Sequence, residues 1–137
     1  MTPCNPLAIR VYWEDTDAGG VVFYANYLKF FERARTEWLR ALGVEQSQLQ
    51  AATGCIFVVS QVQLHYRASA RLDDLLTVGV RTLQVGRASM ELEQQAWRGD
   101  TLLAEGRVRV GCVNAVTMRP CRIPYSVAQL LDTSPLP

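Results

Sequence analysis

This chain of 137 residues is poor in the groups that most protein chemistries require. It has one histidine, His65, and four cysteines, Cys4, Cys55, Cys112 and Cys121, with no CxxC pair among them. A lone histidine with cysteines so spaced matches no recognised zinc pattern, so no metal is expected and the thiols read as small apolar residues in a reducing compartment. Charge of either sign is not in excess: formal net charge is +1. That balance gives no electrostatic basis for binding nucleic acid or an acidic membrane surface. No apolar run approaches the ~20 residues that span a bilayer. The first residues, MTPCNPLAIRV, lack a basic region followed by a long apolar stretch, so no secretory signal is expected. Repeats, linkers and low-complexity segments are absent too. With 49% hydrophobic and 20% charged residues, the chain reads as one cytoplasmic globular domain over residues 1–137.

The segment richest in information is RVYWEDTDAGGVVFYANYLKFFERARTEWLR, Arg10 to Arg40. Ala8 to Glu14 reads as a strand, with Ile9, Val11 and Trp13 on one side. Asp15 to Val21 is a turn carrying two carboxylates and the pair Gly19-Gly20. From Tyr24 to Leu42 the period becomes helical. Tyr27, Phe31, Ala34, Trp38 and Leu42 form one stripe, widened by Leu28, Phe30 and Ala41, and Gly43 supplies the stop. So wide an apolar face implies a helix largely enclosed by other elements. A weaker helix is expected over Glu45 to Ala52. Strands follow over Ile56–Tyr66, Leu75–Val85, Ala88–Trp97 and Leu102–Val113, then a short one over Val116–Ile123 cut by Pro120. A brief helix, Tyr125 to Leu131, and a proline-containing tail close the chain. One buried helix against one antiparallel sheet is an α+β two-layer domain. Its sheet edges and open face imply a homo-oligomer.

A carboxylate just ahead of a helix N-terminus has chemical use. The helix end offers unpaired N–H groups and partial positive charge that polarise a carbonyl. The carboxylate attacks that carbonyl or activates water. On spacing alone Asp15 and Asp17 compete for this role, and either also suits a turn or a helix cap. Glu32 and Arg35 have the spacing of an intrahelical ion pair. Asn26 suits a role in orienting the helix start, His65 reads as a surface or interface residue, and Asp73-Asp74 as a polar turn.

The groups Asp15-Thr16-Asp17-Ala18-Gly19-Gly20, Asn26-Tyr27-Leu28 and Glu32-Arg33-Ala34-Arg35 resemble the 4-hydroxybenzoyl-CoA thioesterase family, most closely its YbgC-like, Tol–Pal-associated branch. Ala68 to Asp74, followed by Leu76 and Val78, adds to the resemblance, which runs from about Leu7 to Leu131. It implies a hotdog fold, one long central helix wrapped by a five- or six-stranded antiparallel sheet. It also implies hydrolysis of an acyl-CoA thioester to free acid and CoA, with no separate cofactor because coenzyme A is part of the substrate. Asp17 matches the family's catalytic carboxylate, leaving Asp15 structural. The Tyr24 N–H matches the donor that polarises the thioester carbonyl. Asn26 is a positioning candidate. Arg87 and Ser89, with Arg67 and Arg71 behind them, are candidates for holding coenzyme A. Family sites lie between two chains, so a homodimer or homotetramer is implied, and the branch name implies contact with envelope machinery.

One departure stands out. YbgC-like members commonly carry histidine where this chain has Tyr24, whereas the 4-hydroxybenzoyl branch works without one. The exchange is expected to alter rate or acyl preference while leaving hydrolysis intact. A hotdog dehydratase is disfavoured because its chemistry needs a histidine paired with an acid, and His65 lies outside the helix-entry motif. The contrasting class is a non-catalytic acyl-CoA-binding or envelope-associated scaffold module, which would bind such esters without consuming them.

Overall fold

The computed structural model describes residues 6–131; Cys4 and the end of the proline-containing tail lie outside the described residues. Five strands, β1 (Leu7–Arg10), β2 (Cys55–Tyr66), β3 (Leu75–Val85), β4 (Ser89–Arg98) and β5 (Thr101–Asn114), form one antiparallel sheet in the order β1-β3-β4-β5-β2. The long helix α1 (Tyr27–Ala41) packs on β3 and touches β1 and β4. Helix α2 (Gln46–Thr53) leads into β2, and α3 (Tyr125–Ala128) follows β5. None of the described helices is long and apolar enough to cross a membrane.

Alternation explains the sheet. Leu76, Val78 and Val80 of β3, Met90, Leu92 and Ala96 of β4, and Val108, Val110 and Cys112 of β5 are all buried. With successive strand residues pointing to opposite faces, this single set meets the helix. Opposite it, α1 buries Tyr27, Phe30, Phe31, Ala34, Trp38 and Leu39. The helix ends as Gly43 turns left-handed (φ 94°), so that the Gly43 and Val44 N–H groups reach back to the Arg40 and Leu39 carbonyls at 3.0 and 2.8 Å.

Several expectations are corrected. β1 stops at Arg10, because the Tyr12 N–H donates to Asp15 Oδ2 and the Tyr12 carbonyl accepts from the Asp15 N–H, which curls Trp13–Asp15 into a 3₁₀ turn. Trp13, assigned to the apolar side, is 76% exposed. Leu28 and Ala41 are exposed while Leu39 is buried, since sheet covers one side of the helix only. Glu32 and Arg35 do not bond to each other; Arg35 donates instead to the buried Gln94 at 2.9 Å, whose amide donates in turn to the Phe31 carbonyl. No strand forms over Val116–Ile123. Asn114 Oδ1 accepts from the Val116 and Thr117 N–H groups, folding the segment into a turn that leaves a single bridge, Val113 to Pro120.

Candidate active site

The helix entrance is built from three separate stretches of chain. Asp17 opens a tight turn: its Oδ1 accepts from the Gly19 N–H at 2.8 Å and the Val21 N–H at 3.4 Å, and its carbonyl accepts from Gly20. Gly20 holds φ at 79°, a conformation that side chains with a Cβ resist. The turn then docks on the connection between β2 and β3. Val21 bridges to Arg71, and the Val22 N–H donates to the Ala70 carbonyl at 2.8 Å. Asp17 Oδ2 has no protein partner among the described residues, and the side chain is exposed.

Asp15 does something different. It is 4% exposed, and its two oxygens accept from the Tyr12 N–H and the Asn26 side-chain amide, each at 2.9 Å. Its carbonyl accepts from the Phe23 N–H. A buried carboxylate this well partnered serves as a structural pin between β1 and the helix entrance. Asn26, also buried, is the other half of that pin.

Phe23 is extended (φ −60°, ψ 133°), and a 3₁₀ turn over Tyr24–Asn26 then runs into α1. The Tyr24 N–H, first in this turn, has no acceptor among the described residues. Its ring is exposed, while its carbonyl accepts from the Tyr66 hydroxyl at 2.8 Å. The rings of Tyr66 and the buried Tyr27 meet edge to face at 5.5 Å, and Tyr27 Oη accepts from the Ala70 N–H. Burial raises the pKa of both phenols above the ordinary value.

These elements frame a concavity of about 490 Å³ lined by Asp17, Val21, Phe23, Tyr24, Tyr66 and Arg67, among others. Arg67 stands at its rim, paired with Glu105 at 3.2 Å. Arg71 is nearby through its bridge to Val21, its side chain exposed. Arg87 and Ser89 are not. They sit in the β3–β4 turn and at the start of β4, the far end of strands that begin beside Arg71, roughly 30 Å along the sheet at about 3.3 Å per residue. A cavity of about 110 Å³ between α1 and the sheet includes neither Asp17 nor Tyr24. The sequence reading missed Tyr66. Its 42-residue separation from Tyr24 leaves no local signal, and only the β2 register brings it to the helix entrance. His65 is exposed on β2 opposite Glu105.

The same sheet and helix recur in known proteins. A probable thioesterase from Bartonella henselae superposes with a TM-score of 0.84, covering 88% of this chain and 98% of its own at 33% identity. Sheet and helix together are therefore the hotdog fold of the thioesterases. The family model described as the thioesterase superfamily matches residues 19–105, and the chain belongs to that superfamily. Within it, the chain is 44% identical to the acyl-CoA thioesterase YbgC of Haemophilus influenzae over 87% of this chain and 88% of that protein. It is 42% identical to the acyl-CoA thioester hydrolase YbgC of an Escherichia coli O6:H1 strain, over 87% and 89%.

Proposed function

We propose that this protein hydrolyses acyl-CoA thioesters, with residues 1–137 acting as one catalytic domain. The observation that carries the reading is the meeting of an exposed carboxylate, Asp17, and a helix-entrance N–H, that of Tyr24, unpaired among the described residues, on the wall of one apolar-sided concavity. The thioester carbonyl oxygen sits against the Tyr24 N–H, where the helix end stabilises the developing negative charge. Asp17, through its free Oδ2, either attacks the carbonyl to give a mixed anhydride and expel CoA thiolate, or takes a proton from the attacking water. In the first route water then cleaves the anhydride, releasing the acid and restoring Asp17, and the thiolate takes up a proton; both routes thus end in free acid and CoA. The hydrogen bonds to Oδ1 hold the carboxylate in place. The role of Tyr24 lies in its backbone, so the absent imidazole leaves the electrophilic half of the site intact. Names of the relatives supply the substrate class; Phe23, Val21 and Tyr66 favour an apolar or aromatic acyl group.

Coenzyme A requires a second chain in this reading. Arg87 and Ser89 stand far from Asp17 within one protomer, and β2 is a 12-residue edge strand with exposed Val59, Val62 and Tyr66. A homodimer joined along that edge pairs its open backbone and covers these apolar side chains, and lets one copy hold the nucleotide of an ester cleaved by the other. Release of free thiol from short, long and aromatic acyl-CoAs tests the activity. Turnover of at least one member supports the proposal, whereas binding without turnover of any member moves the protein to the acyl-CoA-binding class.

A further inference from the structure

Among the described residues, the proposed chemistry leaves three thiols unused. Cys55 opens β2, Cys112 lies near the end of β5, and Cys121 sits in the loop beyond. They are scattered in sequence, yet all three Sγ atoms lie within 4.8 Å of one another. Cys121 Sγ is 2.9 Å from that of Cys55 and 3.7 Å from that of Cys112. The fold builds this convergence from backbone. The β2–β5 register sets Cys55 opposite Asn114 and Phe57 opposite Cys112. The Cys121 N–H donates to the Cys112 carbonyl at 2.9 Å, which carries the loop cysteine back over the strand pair. Bonds from the Asn114 N–H to the Arg119 carbonyl and from the Ala115 N–H to the Gly54 carbonyl, each 2.9 Å, close the base of the loop.

Three sulfurs at one point can simply be small apolar side chains in contact. Their spacing argues for more. A metal with bonds of about 2.3 Å to tetrahedrally placed thiolates sets them roughly 3.8 Å apart, and the Cys112–Cys121 separation already has that value. The shorter Cys55–Cys121 pair, at 2.9 Å, must open to reach that spacing, and Cys121, the least buried of the three and set in a loop, is the side chain placed to turn.

We propose that Cys55, Cys112 and Cys121 form a three-thiolate site for a soft d¹⁰ metal ion of the Zn²⁺ or Cu⁺ kind, for which thiolate sets are selective. On binding, each thiol releases its proton and its sulfur donates to the metal. The ion ties the α2–β2 junction to the segment after β5. Its site stands at the opposite end of β2 from Tyr66, so its role is structural and independent of the hydrolysis proposed above.

The test uses the full chain, fully reduced and kept from air, titrated with Co²⁺ as a spectroscopic probe and then with Zn²⁺. Wild type is expected to show thiolate-to-cobalt charge-transfer absorption saturating at one ion per chain. Zn²⁺ displaces the cobalt, resists a chromogenic chelator and raises the melting temperature. Cys121→Ala, altering the most exposed ligand, keeps the metal-free melting temperature but loses both the absorption and the Zn²⁺-induced shift; Cys4→Ser retains them. The same protein under Cu⁺ distinguishes the two ions by competition. Absence of charge-transfer absorption in wild type, equal binding by Cys121→Ala, or closure of a Cys55–Cys121 disulfide with no metal retained would overturn the proposal.

Discussion

Two aspartates separated by one residue have opposite fates, and the difference is solvent. Asp15 is buried and fully partnered, Asp17 exposed with an oxygen to spare. Asn26→Ala leaves one oxygen of a buried carboxylate unpaired, which costs about 1.5–3 kcal/mol. Urea denaturation is expected to show that loss, together with a looser helix entrance and weakened turnover. Tyr24 permits a sharper separation of side chain from backbone. Proline is tolerated in the first turn of a helix, and Phe23 before it is already extended, as a residue preceding proline must be. Tyr24→Pro therefore removes the N–H donor without breaking the fold. Its kcat is expected to fall ~10²–10³-fold at a near wild-type melting temperature, while Tyr24→Phe stays close to wild type. Equal activity in Tyr24→Pro would remove the backbone donor from the mechanism.

Elements whose periodicity is unbroken were legible in the sequence. β3 is found at Leu75–Val85, as Val78, Val80 and Leu83 imply, and Gly43 stops α1 where expected. Where side chains bond the backbone locally, pattern fails: Asp15 cuts short the Ala8–Glu14 strand, and Asn114 turns the segment beyond β5 before it pairs. Convergence was invisible for a different reason, since Tyr66 at the helix entrance and the three-cysteine cluster both depend on strand register. The register has its own test in β5. A Cβ at Gly106 would overlap the Gln63 carbonyl oxygen and meet Leu64 Cδ2 at 2.8 Å. Because that first contact is backbone of the paired strand, it relaxes only by distorting the β2–β5 ladder. Gly106→Ala is expected to destabilise by about 1–3 kcal/mol, read from the urea midpoint, and to expose β2 amides to hydrogen exchange.

At the scale of the whole molecule, the loop that carries the active-site wall is tied to the sheet by charge. Asp74 Oδ2 accepts from the Arg71 N–H and the Arg98 guanidinium, each at 2.8 Å. Desolvation raises its pKa, but these hydrogen bonds and both arginine charges outweigh it and hold the carboxyl below the ordinary aspartate range. A depressed folded-state value stabilises the protein above the unfolded pKa of about 4, and that contribution disappears as pH falls through the folded value. Asp74→Asn is accordingly expected to be less stable than wild type at pH 7, with the gap narrowing below about pH 4 in denaturant titrations. In the proposed mechanism, hydrolysis depends on a longer-range assembly: the helix entrance, the end of β2 and, in the proposed dimer, a second copy's Arg87. At its centre is the Asp17 carboxylate, and one paired measurement addresses it most directly. Turnover and equilibrium binding of the same acyl-CoA are compared for wild type and Asp17→Asn, whose amide is neither a base nor a useful nucleophile. The account predicts that kcat falls ~10²–10⁴-fold while binding and melting temperature hold; undiminished turnover in Asp17→Asn would contradict it.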